Sequence, residues 1–237
     1  MHHRAARPLA IGCLWVLSSS VLYTQQPDAA AIIHALNTEN HSRFDHVLSF
    51  SDIEHYAVFR GKDRVNPAAQ MTVKMTYRKG EGKSYKILSQ SGSGLVLKYG
   101  LLPLLDNERS INDPAKVAQS WFTSDNYEMT LQPGVRRTIN GRPCIALVIK
   151  PRHKAPNLID GTLWVDARDH TLAEVEGIAS KSPSIWAGTT HMMRQYANMQ
   201  GYAMAIHARA ESKSMFFGRT VVTIDYGDYH FELRPKP

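Results

Sequence analysis

The sequence has few cysteines and no long apolar run. Cys13 and Cys144 are its only cysteines among 237 residues. Loss of an N-terminal leader would leave Cys144 alone, so the mature chain could form no internal disulfide. Its fold must be held by its core, in which Cys144 is expected to be a small buried residue. The apolar run Leu9 to Leu17 is too short to predict a membrane span.

Motifs for catalysis and for metal binding are also missing. Gly82-Lys83-Ser84 resembles the end of a phosphate-binding loop, but Tyr77 stands where that motif needs glycine. Ser91-Gly92-Ser93-Gly94 lacks the spacing of a nucleophile elbow. The eleven histidines include no His-Glu-x-x-His pair, and Cys-x-x-Cys is absent. We therefore expect no enzyme, catalytic residue, metal or cofactor; scattered Ser, His and Asp residues support only the minor alternative of an envelope hydrolase.

The charge balance is mildly basic. Lys and Arg outnumber Asp and Glu by 28 to 21, a formal charge of +7. The basic residues are scattered along predicted strands and do not cluster with aromatic residues, which indicates a solvated surface and no nucleic-acid site. Peripheral contact with an anionic membrane surface remains open.

The first 24 residues have the pattern of an export signal. Arg4 and Arg7 precede the apolar run, and the first acidic residue is Asp28. The cleavage site stays open between about residues 20 and 31, because no clear small-x-small site is present. A lipidated Cys13 is an alternative that the short run disfavours. We expect residues 25–237 to form a single exported domain.

Hydrophobic periodicity changes from helical to β early in the chain. The spacing predicts an amphipathic helix capped by Asp28 that reaches about Leu48, with a break near Asn40. Strands follow, and residues 70–79 alternate most clearly. Four of their side chains share one face: Met71, Val73, Met75 and Tyr77. A turn at 80–82 leads to a paired strand, on which Tyr85 and Ile87 share a face.

Two helical pieces interrupt the predicted β-series. Residues 95–111 are apolar and contain Gly100 and Pro103, which favours a broken helix. A short helix is predicted from Asp113 to about Trp121. Further strands follow at 126–131, 135–139, 144–150, 162–165, 171–176, 189–199, 202–211 and 219–233. Their short links predict ten to eleven antiparallel strands.

The most informative stretch is Gly161 to Gly177, in which two alternating runs flank the polar tip at residues 166–170. This pattern predicts a hairpin. Thr162 and Trp164 share one face of its first arm and Leu163 and Val165 the other, so both faces are expected to meet other residues.

The chain contains, in order, a leader, a helix, strands, a broken helix, the hairpin that begins Gly161-Thr-Leu-Trp-Val-Asp166 and the closing run Asp225-Tyr226-Gly-Asp-Tyr229. This order resembles the LolA/LolB-like superfamily of outer-membrane lipoprotein-sorting proteins, which includes the RseB sensor domain. The resemblance implies a mainly β (α+β) fold: an incomplete antiparallel barrel of about eleven strands, with helices packed in or across its concave face. It also implies a bacterial envelope protein of the periplasm or outer-membrane periphery that holds acyl chains of lipids or lipoproteins.

From this resemblance, the apolar face of the curved sheet becomes the candidate ligand-binding surface. Its candidate residues are Met71, Val73, Met75, Tyr77, Tyr85, Ile87 and Trp164. The candidate lid residues are Leu95, Leu101, Leu102 and Leu105. The superfamily's lid-locking arginine and protruding apolar loop match no residue here, so carrier, receptor and sensor roles stay open. The alternatives are a filled core and an envelope signalling or scaffold module that binds a protein partner through the half-barrel.

Overall fold

The computed structural model describes residues 28–155, 157–181, 189–214 and 218–234. The predicted leader at 1–24 and Cys13 lie outside these residues. Within them the chain is mainly β: ten strands form one antiparallel sheet that does not close into a barrel. The predicted fold class is confirmed, with one strand fewer than the upper expected number.

Helix α1, Ala29–His46, precedes the sheet. The Asp28 carboxylate accepts a hydrogen bond from the Ala30 backbone N–H at 3.0 Å, as an N-terminal cap does. Ile32 and Leu36 are buried one turn apart, which fixes the face that packs on the sheet. The helix continues through Asn40, where a break was expected, and the Asn40 side-chain amide donates to the Leu36 carbonyl at 2.9 Å.

Strands β1 to β3 form a meander that begins directly after α1. Their bounds are Val47–Arg60, Ala69–Arg78 and Gly82–Gly92. In β2 the side chains of Met71, Val73 and Met75 are buried while the alternate residues are less buried or exposed, as the alternation predicts. The β2–β3 hairpin is also confirmed.

A helical segment follows β3 and crosses the concave face of the sheet. It consists of an α-helical turn at Gly94–Val96, a π-helical turn at Leu97–Leu101 and an α-helix at Leu102–Ile111. We call residues 94–111 the cover segment. The irregular π-turn lies just before Pro103, whose missing N–H and ring disfavour a regular α-helix there. The second predicted helix is only a 3-10 turn at Val117–Ser120.

The remaining strands complete the sheet. Their bounds are β4 Tyr127–Ile139, β5 Arg142–Pro151, β6 Ile159–Asp166, β7 Leu172–Ala179, β8 Thr190–Met199, β9 Tyr202–Ser214 and β10 Gly218–Leu233. The two strands expected within 126–139 are one, because β4 passes through a register shift between Gln132 and Arg136 and resumes pairing with β5.

The spatial order of the strands is β3-β2-β1-β10-β9-β8-β7-β6-β5-β4. The last strand therefore pairs with the first, and β3 and β4 are the two free edges. Two large apolar clusters fill the concave side: one joins α1 to β5, β6 and β7, and the other joins the cover segment to β1, β2 and β10. A cavity lies between them.

Candidate functional site

The cavity has a volume of about 360 Å³, at the lower end of the range of small-molecule sites. Its wall is formed by residues of α1, of the cover segment and of the concave faces of the central strands. Apolar residues of the wall include Phe50, Met75, Tyr77, Leu104, Met192 and Val222.

Small residues of β9 create the space. Ala208 and Ala210 lie on the concave face, and Ala210 is opposite Met192 on β8 and Val222 on β10. Methyl side chains at the centre of a curved sheet leave a gap that neighbouring strands cannot fill. Met192 and Met75 add unbranched, adaptable side chains to this part of the wall.

The cover segment closes one side of the cavity. Leu101 and Leu105 are buried and pack in the same apolar cluster as Met71 and Val73. Leu104, on the same helix, lines the cavity. The cover segment is thus attached to the sheet by a continuous apolar contact, to which Leu104 also contributes.

A group of ionisable side chains forms the polar part of the wall. Asp52 and Glu54 extend from the concave face of β1 and are 2% and 1% exposed. Glu108 of the cover segment lies 3.7 Å from the ammonium of Lys83 and 3.7 Å from a guanidinium nitrogen of Arg194. We call these five residues the polar cluster.

The two β1 carboxyls differ in their partners. Glu54 accepts a hydrogen bond from the hydroxyl of Tyr56. Among the described residues, no hydrogen-bond donor meets either oxygen of Asp52 in good geometry. The Tyr229 hydroxyl interacts with Asp52, but it donates its proton to the Ala205 carbonyl oxygen at 2.8 Å. Asp52 is therefore a buried carboxyl without a committed donor, which is costly for an ionised group.

Burial changes the protonation of this cluster. Burial and, after it, repulsion from Glu54 raise the pKa of Asp52 to about 7. Burial also raises the pKa of Glu54, against the opposing effects of Lys83 and Tyr56. Near neutral pH Asp52 can therefore gain or lose a proton, and strongly shifted pKa values cluster at functional sites.

A β-bulge of strand β10 lies opposite Asp52. Two residues of β10, Asp228 and Tyr229, oppose Asp52 alone, and Asp228 has a positive φ of 52°. Such bulges bend a strand and redirect side chains, and they are frequent next to functional sites.

The structure separates the sequence-predicted ligand residues into three groups. Met75 and Tyr77 line the cavity. Met71 and Val73 are buried beneath the cover segment, with Tyr85 packed against the same cluster. The two others lie away from the cavity wall: Ile87, 40% exposed on edge strand β3, and Trp164.

Trp164 lies on the opposite, convex face. Its indole N–H donates to a Glu176 carboxylate oxygen at 2.9 Å, and the Arg137 guanidinium stacks 4.2 Å from its ring centre. Arg137 also pairs with both Glu174 and Glu176. This group packs above Cys144, which is buried as predicted.

The lid candidates are likewise distributed. Leu101 and Leu105 attach the cover segment to the sheet, Leu102 packs beside them, and Leu95 is 72% exposed. Whether any of these residues contacts a ligand stays a prediction.

Sequence reasoning missed the polar cluster. The signal was Asp52-Ile-Glu54-His-Tyr56, in which the acids share a strand face with the aromatic ring. Ile53 and Phe59 lie on the other face. Both faces of the strand therefore carry apolar residues, and the alternation could not show which face is concave. Glu108, Lys83 and Arg194 come from distant elements and carry no local signal.

Two further searches concern the described residues only. No group of three or more His, Cys, Asp or Glu side chains there could hold a metal ion. No helix there is both long and apolar enough to cross a membrane.

Comparison with known proteins gives structural neighbours only. No protein-family model matches the chain, and no curated protein matches it significantly in sequence. Among solved structures, it is similar to a domain described as an outer-membrane lipoprotein-sorting protein, from Vibrio parahaemolyticus. The TM-score is 0.49 and the identity 13%, over 86% of this chain and 94% of the other.

Two other neighbours have comparable scores. A LolA superfamily protein from Nitrosomonas europaea gives a TM-score of 0.45 at 13% identity, over 89% of this chain and 96% of the other. A DUF1329 family protein from Desulfovibrio piger gives 0.44 at 11% identity, over 86% and 92%. At such scores these neighbours support no conclusion about function, which we argue from the cavity.

Proposed function

We propose that this protein is a non-enzymatic, exported binding protein of the bacterial cell envelope that holds one acyl chain of a lipid or lipoprotein in its concave cavity. The observation that supports this most is the cavity itself, walled by Met75, Met192 and Leu104 and closed on one side by the cover segment. The leader pattern at 1–24 supports export, and the sequence resemblance supports a place in lipoprotein sorting.

Burial of the chain supplies the binding energy. Each methylene removed from water contributes roughly 0.8 kcal/mol, so twelve carbons contribute up to about 10 kcal/mol before the cost of ordering the chain is subtracted. No catalytic group is required. Methionine side chains in the wall allow chains of different length and shape to be accepted.

A substitution that fills the cavity tests the proposal. Ala210→Phe places an aromatic ring between Met192 and Val222. We expect it to weaken uptake of a fluorescent fatty acid at least tenfold while the protein keeps a cooperative thermal transition. Ala57→Phe is the matched control, because Ala57 lies on the outward face of β1 opposite Gln70 and Thr223. Equal uptake by the two variants would contradict acyl binding in this cavity.

A second candidate, an envelope scaffold or sensor that binds a protein partner, is favoured by apolar exposure at one edge. Leu95 and Tyr99 of the cover segment are 72% and 70% exposed, and Leu88 of edge strand β3 is 50% exposed. Exposed apolar groups near a free strand edge suit a protein interface. A photocrosslinker at Leu95 is expected to give one discrete adduct in cells, and at the exposed Asp160 none. Identical patterns at both positions would remove this candidate.

A further inference from the structure

The polar cluster is short of one positive charge. With all groups ionised, the carboxylates of Asp52, Glu54 and Glu108 face two cations in the described part of the chain, Lys83 and Arg194. Both cations lie against Glu108 at 3.7 Å, and Glu54 has the Tyr56 hydroxyl. Asp52 is the carboxylate that receives no hydrogen bond in good geometry from any described residue.

Other charged groups of the cavity wall are engaged elsewhere. Glu39 accepts a hydrogen bond from the Ala203 backbone N–H at 2.9 Å, and Arg43 donates to the Ala203 carbonyl at 3.2 Å. Arg209 pairs with Glu211 at 2.6 Å. They therefore do not neutralise the cluster.

Phenol groups surround the cluster as neutral donors. Burial raises the pKa of Tyr85, Tyr226 and Tyr229 well above the ordinary value, so these hydroxyls stay protonated. The Tyr85 hydroxyl is buried and has no hydrogen-bond partner within the ranges that the structure describes. Dipoles of this kind can orient a polar group, but they add no positive charge.

We propose that Asp52 and Glu54 recognise a primary ammonium group carried by the amphiphile that occupies the cavity. A primary ammonium supplies both the missing charge and up to three N–H donors. Its apolar chain lies among Met75, Met192 and Leu104 while its polar end meets the two carboxylates. This inference rests on the proposed function and names the chemistry of the ligand's polar end.

Access to Asp52 requires a small movement. Its oxygens are covered in this conformation. Met75 is directly opposite Asp52 on β2 and also lines the cavity. A methionine side chain has three rotatable bonds and can turn aside without moving the backbone.

Displacement of an uncharged apolar fluorescent probe by three twelve-carbon compounds tests the inference. The compounds are dodecylammonium, dodecyltrimethylammonium and dodecanol, and the pH is 7.5. The trimethyl compound keeps the charge but has no N–H donor, and dodecanol is neutral. We expect dodecylammonium to bind at least tenfold more tightly than either of the others, because hydrogen bonds to charged groups are among the strong ones. In Asp52→Asn this preference should disappear, whereas in the exposed control Asp160→Asn it should remain.

The possible outcomes are distinct. Equal binding of all three compounds by the wild-type protein would overturn the inference and leave acyl binding intact, without need of a variant. Failure of every compound to bind would contradict the proposed function and the inference with it. A preference that survives in either Asp52→Asn or Glu54→Gln would also overturn the assignment. If the preference is confirmed, the source of the ammonium is tested by comparing lysophosphatidylethanolamine with dodecylammonium. Tighter binding of lysophosphatidylethanolamine would identify an aminophospholipid headgroup as the source. Tighter binding of dodecylammonium would identify a free alkylamine.

Discussion

The protonation of Asp52 gives a stability prediction that needs no ligand. In the folded protein the pKa of this carboxyl is about 7, against an ordinary value of 3.8. Between these two values the folded state holds a proton that the unfolded chain has released. The free energy of unfolding must therefore fall as the pH rises from about 4 to 7, and the loss is complete above the folded pKa. Asp52→Asn resembles the protonated form at every pH and removes this dependence.

The size of the effect follows from the two pKa values. One pKa unit corresponds to roughly 1.4 kcal/mol, so the full cost of the ionised Asp52 is about 4 kcal/mol. About 1.5 kcal/mol of it is already present at pH 5, so the stability difference between variant and wild type should grow by roughly 2–3 kcal/mol from pH 5 to pH 8.

Urea unfolding followed by tryptophan fluorescence at pH 5, 6, 7 and 8 measures this difference. Asp160→Asn is the control, because Asp160 is exposed on β6, and its curve should stay parallel to that of the wild type. Parallel pH profiles for Asp52→Asn and wild type would refute the reasoning, since they would mean that Asp52 is ionised and satisfied in the folded protein.

Three further predictions concern stability and use the same urea assay. Gly161→Ala should lower the free energy of unfolding by about 2 kcal/mol or more, because the added Cβ would lie 2.1 Å from the Glu176 carbonyl oxygen. Gly227→Ala is the control and should be near neutral, because no described atom lies within 4 Å of its added Cβ. Equal losses of stability in the two variants would contradict this. Arg137→Met should lower the free energy of unfolding by about 2 kcal/mol, because it removes the cation that pairs with the buried carboxylate of Glu174. Substitution of the exposed neighbour, Arg136→Met, should lower it by less than about 0.5 kcal/mol. Asp28→Ala should cost about 1 kcal/mol through loss of the cap; an unchanged midpoint would show that the cap is dispensable.

The fold could be predicted where one periodicity dominates. Strand β2 was placed correctly because Met71, Val73 and Met75 alternate with polar residues. The hairpin of β6 and β7 followed from its polar tip, and Gly161 and Gly177 are indeed opposite each other in it. Local chemistry decides such elements.

The site could be predicted only in part, because it depends on which face of each strand is concave. Both faces of β6 carry apolar residues, so the sequence alone could not show that the ring of Trp164 lies on the convex face. Sequence patterns did not single out Asp52 and Glu54, because the other members of the polar cluster, such as Glu108, come from distant parts of the chain. The partners in such a cluster are determined by tertiary packing, which local sequence patterns do not encode.

Acyl binding in the concave cavity is the central claim, and native mass spectrometry tests it most directly. The protein is purified without detergent and its intact mass is recorded before and after organic extraction. We predict a discrete acyl-lipid adduct that extraction removes and that an added fatty acid restores. A bare mass, with no uptake of added fatty acid, would contradict the claim and indicate that the cavity does not serve an acyl chain.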